Sequence, residues 1–408
     1  MNGIQEVVGS IPIVSTKFRK HPMMFPDFCI SRTFRRELTF MNRFARFFRS
    51  HLGIHLTALI SAAVIGLYFL LRPCKGLMNF LIRWVTTPYK QAMAAILSLL
   101  PFSMAELIWA AGIIGVPILI FQTVYRMFRP GGRLRRIILY RRIAGLCAAV
   151  LTVYAGFCLL WGVNYYGDSF SDKSGIEALP VSTNDLAATT SYFVELVNEY
   201  APQVERDEAG CFSVSRDEIF SKAGSIYDAV GEEFPFLSGS LPTPKRIFFS
   251  KIMSYVDFTG FFFPFTGEAN LNTDSPACLL PSTITHELAH QKNIAPEQEA
   301  NFVAILTALK SGDPVYCYSA ALLGYIHLSN ALYKADRIAW EQVYGSLDAR
   351  VRADLSANNA YWQQFQTPVN QATQTVYNSF LQSYGQELGV KSYGACVDLL
   401  VAYYCPEK

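Results

Sequence analysis

Three long apolar runs in the first half of the chain constrain the fold more than any other feature. They cover 54–71, 106–125 and 143–163. Each is close to the ~20 residues that a helix needs to cross the hydrocarbon core of a bilayer. Arginines and aromatic residues flank the runs, which is typical of membrane-spanning helices and argues against buried core helices. The sequence therefore predicts a membrane region of three helices.

The composition agrees with a membrane protein. Hydrophobic residues make up 51% of the 408 residues and charged residues only 16%, against about 25% charged residues in soluble domains. The net charge of +3 is too small to indicate binding to nucleic acid, and we expect no nucleic-acid partner. The nine cysteines form no C-x-x-C pair, which argues against a zinc ribbon or a dense disulfide framework.

The distribution of basic residues predicts the orientation. Seven arginines lie in the segment 126–142, between the second and third runs, whereas the segment 72–103 carries only four basic residues. Cytoplasmic loops of membrane proteins are enriched in Lys and Arg. This rule places the N-terminus and the segment 126–142 in the cytoplasm. Three crossings then place everything after Tyr165 on the outer side of the membrane. Three further arginines precede the first run and support this orientation: Arg43, Arg46 and Arg49.

These observations divide the chain into three parts. Residues 1–53 are predicted to be a cytoplasmic N-terminal tail, of which 1–40 are interpreted as a tail or an over-extended start. Residues 54–165 form the three-helix membrane region, which makes the lipid bilayer the first expected partner. Residues 166–408 have the composition of a soluble domain and are predicted to lie outside the cytoplasm.

The outer domain is predicted to be mostly helical with a small sheet. Amphipathic patterns with capping residues at their start predict helices over 183–201 and 215–234. Aromatic residues mixed with Gly, Pro and Asn predict short strands and turns within 245–252 and 260–273. The apolar stretch 314–333 contains His, Ser and Asn, which favours a buried helix over a fourth span.

One short motif contains the candidate metal ligands and the candidate general base. His286 and His290 are spaced i, i+4, so on a helix both rings lie on one face and can bind a single metal ion. Glu287 follows the first histidine, where its carboxylate can act as the general base on a metal-bound water. The motif predicts a zinc site.

A catalytic zinc needs a third protein ligand, and the stretch after the motif offers two. Pro296 suits the first turn of a new helix. Glu297 and Asn301 would then share one face, with Glu297 on the metal and Asn301 steadying a ligand. Glu299 is the alternative third ligand, but helix geometry turns it about 200° away from Glu297, so both cannot face the metal.

Chance occurrence of the motif is the alternative interpretation. The region 166–408 has only three histidines, and two of them fall at ligand spacing with acidic residues close behind. We therefore expect a metal site. The third, His327, lies in an apolar helix pattern and is interpreted as a core histidine. Glu268 is interpreted as a surface carboxylate.

The stretch HELAH, followed closely by EQEAN, resembles the gluzincin metallopeptidases. In that group a downstream Glu within an E-x-x-x-D/N pair completes the zinc site, and Glu297 and Asn301 match this pair. Only six residues separate His290 from Glu297, fewer than in thermolysin-like enzymes, so Glu299 stays open as the third ligand. The resemblance implies a zincin-like fold in which 266–273 forms an edge strand that pairs with an extended peptide.

A second resemblance covers the chain from about residue 54 onward. It rests on WGVNYY (161–166), PFTGEANLN (264–272), LPSTITHELAHQKNIAPEQEANF (280–302) and SYGACVDLLVAYY (392–404). In these motifs the chain resembles an uncharacterised family of bacterial membrane proteins, domain of unknown function 3810. The resemblance implies a zinc-dependent peptidase anchored in the bacterial cytoplasmic membrane. The family brings no established substrate, and we expect peptides or proteins as substrates.

Two rival hypotheses belong to other classes. A catalytically inactive, membrane-tethered sensor or scaffold would keep the fold without turnover, but the intact Glu287 argues against it. An intramembrane protease would need the motif within a span, and the charged residues from Glu287 to Glu299 exclude that placement.

The predicted orientation is testable with alkaline phosphatase, which is active only outside the cytoplasm. We expect activity when it is fused after Lys408 and no activity when it is fused after Arg136, in the arginine-rich segment. Matched expression on immunoblots is the control. The opposite pattern, active after Arg136 and inactive after Lys408, would reverse the orientation.

Overall fold

The computed structural model describes residues 46–128, 132–178, 181–239, 241–384 and 394–405. Residues 1–45 of the predicted N-terminal tail lie outside the described residues. The chain divides into a short unit that ends at Gly53 and a large unit, Ile54–Lys408. In the described part of the short unit, the ring of His51 packs against Phe47.

Helices make up most of the described chain, with one small sheet, so the predicted mainly α architecture is confirmed. The helices are α1 (Leu52–Leu71), α2 (Lys75–Leu81), α3 (Thr87–Ser98), α4 (Met104–Met127), α5 (Gly132–Leu160), α6 (Phe170–Ser174), α7 (Thr183–Tyr200), α8 (Arg216–Lys222), α9 (Val230–Glu233), α10 (Ser250–Tyr255), α11 (Leu280–Gln291), α12 (Glu297–Lys310), α13 (Pro314–Ala335), α14 (Arg337–Gly345), α15 (Ala349–Gln363), α16 (Pro368–Ser383) and α17 (Gly394–Tyr404).

Three of these helices are long and apolar enough to cross a membrane: α1, α4 and the part Arg135–Leu160 of α5. They correspond to the three predicted runs. The third run was predicted to continue to residue 163, but α5 ends at Leu160 and a 3-10 turn, Gly162–Tyr165, follows. The side-chain amide of Asn164 donates to the carbonyl of Trp161 and stabilises this tighter turn.

The segment between the first two apolar helices is itself mostly helical. A π-helical segment, Ile82–Thr86, joins α2 to α3. The hydroxyl of Thr86 donates to the carbonyl of Leu159 near the end of the third span, at 2.8 Å. The side chain of Asn79 accepts from the backbone N–H of Asp168, at 2.8 Å. This segment therefore links the spans to the chain that follows them.

The sheet has three short strands, β1 (Lys245–Arg246), β2 (Gly260–Phe263) and β3 (Glu268–Leu271), in the order β1-β3-β2. β1 pairs parallel to β3, and β2 pairs antiparallel to it, with Gly260 opposite Leu271. The resemblance to gluzincins predicted that 266–273 would be the edge strand, which is wrong. β3 lies in the centre because β1 covers its second side, and β2 is the edge strand beside α11.

The core of the part 166–408 is a packed group of helices. α13 lies among α7, α11 and α12, and most of its side chains are buried. The prediction of a buried helix over 314–333 is therefore confirmed. A Cβ atom at Gly324 would come within 2.2 Å of Phe193, so glycine is needed there for α13 to approach α7 this closely.

The helix predicted over 215–234 is interrupted. It consists of α8, a 3-10 turn at Ala223–Ser225, and the single turn α9. The break directs the side chain of Tyr227 into the core, where it is 1% exposed. Its hydroxyl donates to the backbone carbonyl of Thr285 in α11, at 2.8 Å. This tertiary hydrogen bond thus stabilises the interrupted helix, although the amphipathic pattern alone predicts a continuous one.

Glu268 was interpreted as a surface carboxylate, and this interpretation is wrong. Its side chain is buried, at 4% exposed. Its two carboxylate oxygens accept from the backbone N–H groups of Met104 and Ala105, at 3.1 and 3.0 Å. These groups lie at the N-terminus of the second span, where a negative charge is favoured. Glu268 therefore joins the sheet to the membrane region.

We expect Glu268→Ala to destabilise the protein by about 1–3 kcal/mol, because it leaves buried N–H groups of α4 without an acceptor. Thermal unfolding of the full-length protein in detergent measures the change as a lower Tm. Glu195→Ala removes an exposed carboxylate on α7 and is the matched control. Equal Tm values for the two variants would contradict the capping role.

Candidate metal centre

Local sequence explains why the two histidines lie on one helix that ends where it does. α11 begins at Leu280 with Pro281 in its first turn, where a proline is tolerated. Just after its end, Asn293 adopts a left-handed conformation with φ 69°, which Asn tolerates better than most residues. The chain reverses there, and Pro296 caps the start of α12. The reversal brings α12 back beside the motif.

The two imidazole rings lie one turn apart and nearly perpendicular to each other, with ring centroids 4.7 Å apart. The Nδ1 atom of His290 lies 2.7 Å from the backbone carbonyl of Ile294. A carbonyl can only accept, so Nδ1 carries a proton and Nε2 is the ring nitrogen turned towards Glu297. Hydrogen bonding of the distal nitrogen to a carbonyl is typical of metal-binding histidines.

The carboxylate of Glu297, at the start of α12, lies between the two rings. Its Oε2 atom is 3.1 Å from Nε2 of His286 and 3.6 Å from Nε2 of His290. Ligands at zinc distances of about 2.0–2.1 Å on a tetrahedron are roughly 3.3 Å apart. The three side chains form a group whose ligand atoms lie within 4.8 Å of one another. The donor set therefore fits a zinc ion.

The ionisation of Glu297 suits a metal ligand. Burial opposes its charge, but His290 and His286 outweigh this effect and hold the pKa of Glu297 well below its ordinary value. Tyr377, on α16, donates its hydroxyl to Oε1 of Glu297 at 2.8 Å. This bond orients the carboxylate and leaves Oε2 towards the histidines.

Glu287 lines the same cavity as the His-His-Glu group. Its side chain is 4% exposed, and its Oε2 has no hydrogen-bond partner among the described residues. Burial raises its pKa to about 8; His286 lowers this pKa and Glu297 raises it. A Cβ atom at position 260 would lie 2.7 Å from Oε1 of Glu287, so glycine on the edge strand β2 makes room for this carboxylate.

The remaining predicted residues do not belong to the His-His-Glu group. The carboxylate of Glu299 accepts from the backbone N–H groups of Phe170 and Ser171, at 2.8 and 3.4 Å. It caps α6, just after the third span, and is not part of the His-His-Glu group. Asn301 lines the cavity next to the group, but within the described residues no hydrogen bond joins it to His286, His290 or Glu297. His327 is buried at 8% exposed, and burial lowers its pKa to about 4.

Sequence reasoning missed the residues that surround the group. Besides Tyr377, they come from the membrane region: Lys90 from α3, and Trp161 and Tyr165 from the turn after the third span. The edge of the Trp161 ring packs on the His290 ring, with centroids 5.3 Å apart. The WGVNYY motif contains both aromatic residues but carried no role, and no motif pointed to Tyr377.

Lys90 is the least expected of these neighbours. Its side chain is buried at 2% exposed, and its ammonium donates to the backbone carbonyl of His290 at 3.3 Å. The ammonium also lies over the rings of Phe262 and Trp161, at 4.9 and 5.6 Å from their centroids. Burial, together with the charge of Lys173, lowers the pKa of Lys90 to about 7. The signal that could have found it is a lysine within a largely apolar segment between two spans.

A cavity of about 600 Å³ surrounds the group. Its walls come from the end of the third span, the edge strand, α11 and α16, and many of them are aromatic. The lining includes His286, Glu287, His290, Glu297, Phe157, Trp161, Tyr165, Phe258, Gly260, Phe261, Phe262, Trp362, Gln374, Tyr377 and Phe380. Both predicted regions, 54–165 and 166–408, thus contribute to one site.

Fold and site together define a class: a mainly helical protein with three helices long and apolar enough to cross a membrane, and a candidate metal centre beside them. The chain belongs to the family described as Protein of unknown function (DUF3810), whose sequence model matches residues 84–401. The matched region begins before Lys90 and ends after Tyr377, so it contains the whole His-His-Glu group and its neighbours. No curated protein and no solved structure matches the chain. The predicted family is confirmed, and the resemblance to gluzincins stays a prediction.

Metal content of the purified full-length protein tests the candidate centre. We expect about one zinc per chain in the wild type, and its loss in His290→Ala and Glu297→Ala, because each removes a ligand. Glu299→Ala and Glu287→Gln are matched controls on the same two helices and should retain zinc. Loss of zinc in Glu299→Ala, but not in Glu297→Ala, would identify Glu299 as the third ligand in place of Glu297. Absence of zinc from all forms after reloading would exclude a zinc centre.

Proposed function

We propose that this protein is a membrane-anchored, zinc-dependent peptidase that hydrolyses peptide bonds on the outer side of the bacterial cytoplasmic membrane. His286, His290 and Glu297 would hold the zinc ion, and Glu287 would act as general base. One observation carries the proposal: a buried glutamate without a hydrogen-bond partner among the described residues lies beside a compact His-His-Glu group, in a cavity.

A zinc ion bound by two histidines and a glutamate supplies Lewis acidity and an acidified water molecule. The protein's own contribution is to place a base next to that water. Glu287 suits this task because Oε2 faces no other donor among the described residues and burial holds its pKa at about 8. A base with a pKa near the working pH accepts and then returns a proton efficiently.

The shape of the cavity favours a polypeptide as substrate. The edge strand β2 pairs on one side with β3, and Gly260, Phe261 and Phe262 line the cavity. An extended peptide can add to such an edge through main-chain hydrogen bonds. Gly260 would then place the peptide next to Glu287.

Tyr165 is the best-placed candidate for the residue that stabilises the developing oxyanion. It lines the same cavity, and its hydroxyl accepts from the indole N–H of Trp161 at 3.3 Å. Burial raises the pKa of Tyr165 above its ordinary value, so the hydroxyl keeps a proton to donate. Tyr377 is less suited because its proton goes to Glu297.

Catalysis by Glu287 predicts a separation of activity from metal binding. Zinc-loaded Glu287→Gln should lose about 10²–10⁴-fold in kcat/KM for a fluorogenic peptide library, because the amide cannot take the proton. It should keep the zinc content of the wild type. Glu195→Gln on the surface of α7 is the matched control and should retain full activity.

Two results would count against the peptidase. Equal activity in wild type and Glu287→Gln would remove the role of the base. A zinc-loaded wild type with no hydrolysis of any library member would favour the inactive, membrane-tethered sensor or scaffold.

A further inference from the structure

An exposed apolar surface lies on the segment 248–255, which contains α10. Its outward side chains are Phe248, Phe249, Ile252 and Tyr255, which are 85%, 50%, 60% and 46% exposed. Lys251 is exposed on the same surface. The opposite face is anchored in the protein, because Met253 and Ser254 are buried. A soluble surface would not present four large apolar side chains together without a partner.

Hydrogen bonds place this segment at the end of the second span. The carboxylate of Glu106, in the first turn of α4, accepts from the backbone N–H groups of Phe248 and Phe249 at 3.1 and 2.8 Å. Close by, the ammonium of Lys245 donates to the carbonyl of Leu97 at 3.0 Å, in the last turn of α3 before the chain enters the span.

The surface therefore continues the apolar surface of the membrane region. Leu99 and Phe102, in the turn before the span, are 84% and 44% exposed. The aromatic rings and the lysine of the segment 248–255 match the composition of the bilayer interface, where aromatic rings sit at headgroup level and lysines reach the phosphates.

We propose that the segment 248–255 inserts into the lipid interface at the end of the second span and holds the cavity of the metal centre at the membrane surface. The partner is the lipid bilayer itself.

The segment leads directly into the wall of the cavity. Asp257 follows α10 in a left-handed conformation with φ 65°, and its carboxylate accepts from the side chain of Gln374 on α16 at 2.7 Å. Phe258 and Gly260 then line the cavity. On the far side, Phe157 from the last turn of the third span lines it as well. The cavity thus lies between an interfacial segment and the end of a span.

The position of the cavity at the membrane surface indicates a substrate class. This inference rests on the proposed function. A cavity held at the bilayer surface takes polypeptide segments that lie a few residues from a lipid anchor or a membrane span. Such segments are presented to the site at high effective concentration, whereas freely diffusing peptides are not.

Photo-crosslinking to lipid tests the interfacial segment without depending on activity. A photoreactive phenylalanine analogue replaces Phe248 or Ile252 in the full-length protein, in vesicles of phosphatidylethanolamine and phosphatidylglycerol with a tagged lipid. Ile338 is the control position, because it is 72% exposed but lies on α14, which packs on α7 and α13. We expect lipid adducts at positions 248 and 252 at least about tenfold above those at position 338.

Equal adduct yields at the three positions would overturn the proposal. Adducts to a second copy of the chain in place of lipid would overturn it too, since the surface would then be a protein interface. Zinc content of the same samples separates the two proposals. Lipid adducts in a protein without zinc would support the insertion of the segment 248–255 and contradict the proposed peptidase activity.

The substrate class has its own measurement in the same vesicles. A fluorogenic peptide library is supplied either free or with a palmitoyl anchor, and we expect cleavage of the anchored form to be at least about tenfold faster. Equal rates would overturn the substrate class while the peptidase stands. No cleavage of either form would remove the proposed function and this substrate class with it.

Discussion

The site depends on a buried lysine that joins the segment between the first two apolar helices to the helix of the two histidines. The ammonium of Lys90 donates to the carbonyl of His290 at the end of α11 and lies between the rings of Trp161 and Phe262. A buried ammonium is costly unless it is compensated. Here the compensation is the negative end of a helix and two aromatic faces. The contact ties the segment between the first two apolar helices to the end of α11 beside the cavity.

Three glutamates within thirteen residues illustrate how environment assigns chemistry. Glu297 lies between two histidines, so its charge is favoured and it suits a metal ligand. Glu287 is buried without a partner among the described residues, so its proton is held more tightly and it suits a base. Glu299 accepts two backbone N–H groups of α6 and has a structural task. The side chain is the same in all three cases, and desolvation and neighbouring charges make the difference.

Errors of the sequence analysis share one cause, which is the contribution of distant residues. Glu268 is polar and lies in a turn-rich stretch, and nothing near it in the chain indicates that it caps a membrane span. The strand 266–273 was expected at the edge from the resemblance to gluzincins, and the neighbour that covers it, β1, is only two residues long and leaves little pattern. The helix over 215–234 has the right periodicity, but Tyr227 bonds to α11 and interrupts it. Local patterns cannot contain such information, since each depends on a partner far away in the chain.

The sequence by itself determined the three apolar helices, the mainly helical part that follows them and the nearness of His286 to His290. These features follow from periodicity and composition within single segments, and helix geometry converts an i, i+4 spacing directly into one face. It also narrowed the third partner to Glu297 or Glu299. Only the tertiary structure shows that Glu297, and not Glu299, lies beside the two histidines, because the reversal at Asn293 sets how α12 returns to α11. It likewise brought Tyr377, Lys90 and the end of the third span to the cavity, since a site assembled from distant segments is defined by packing and has no short motif.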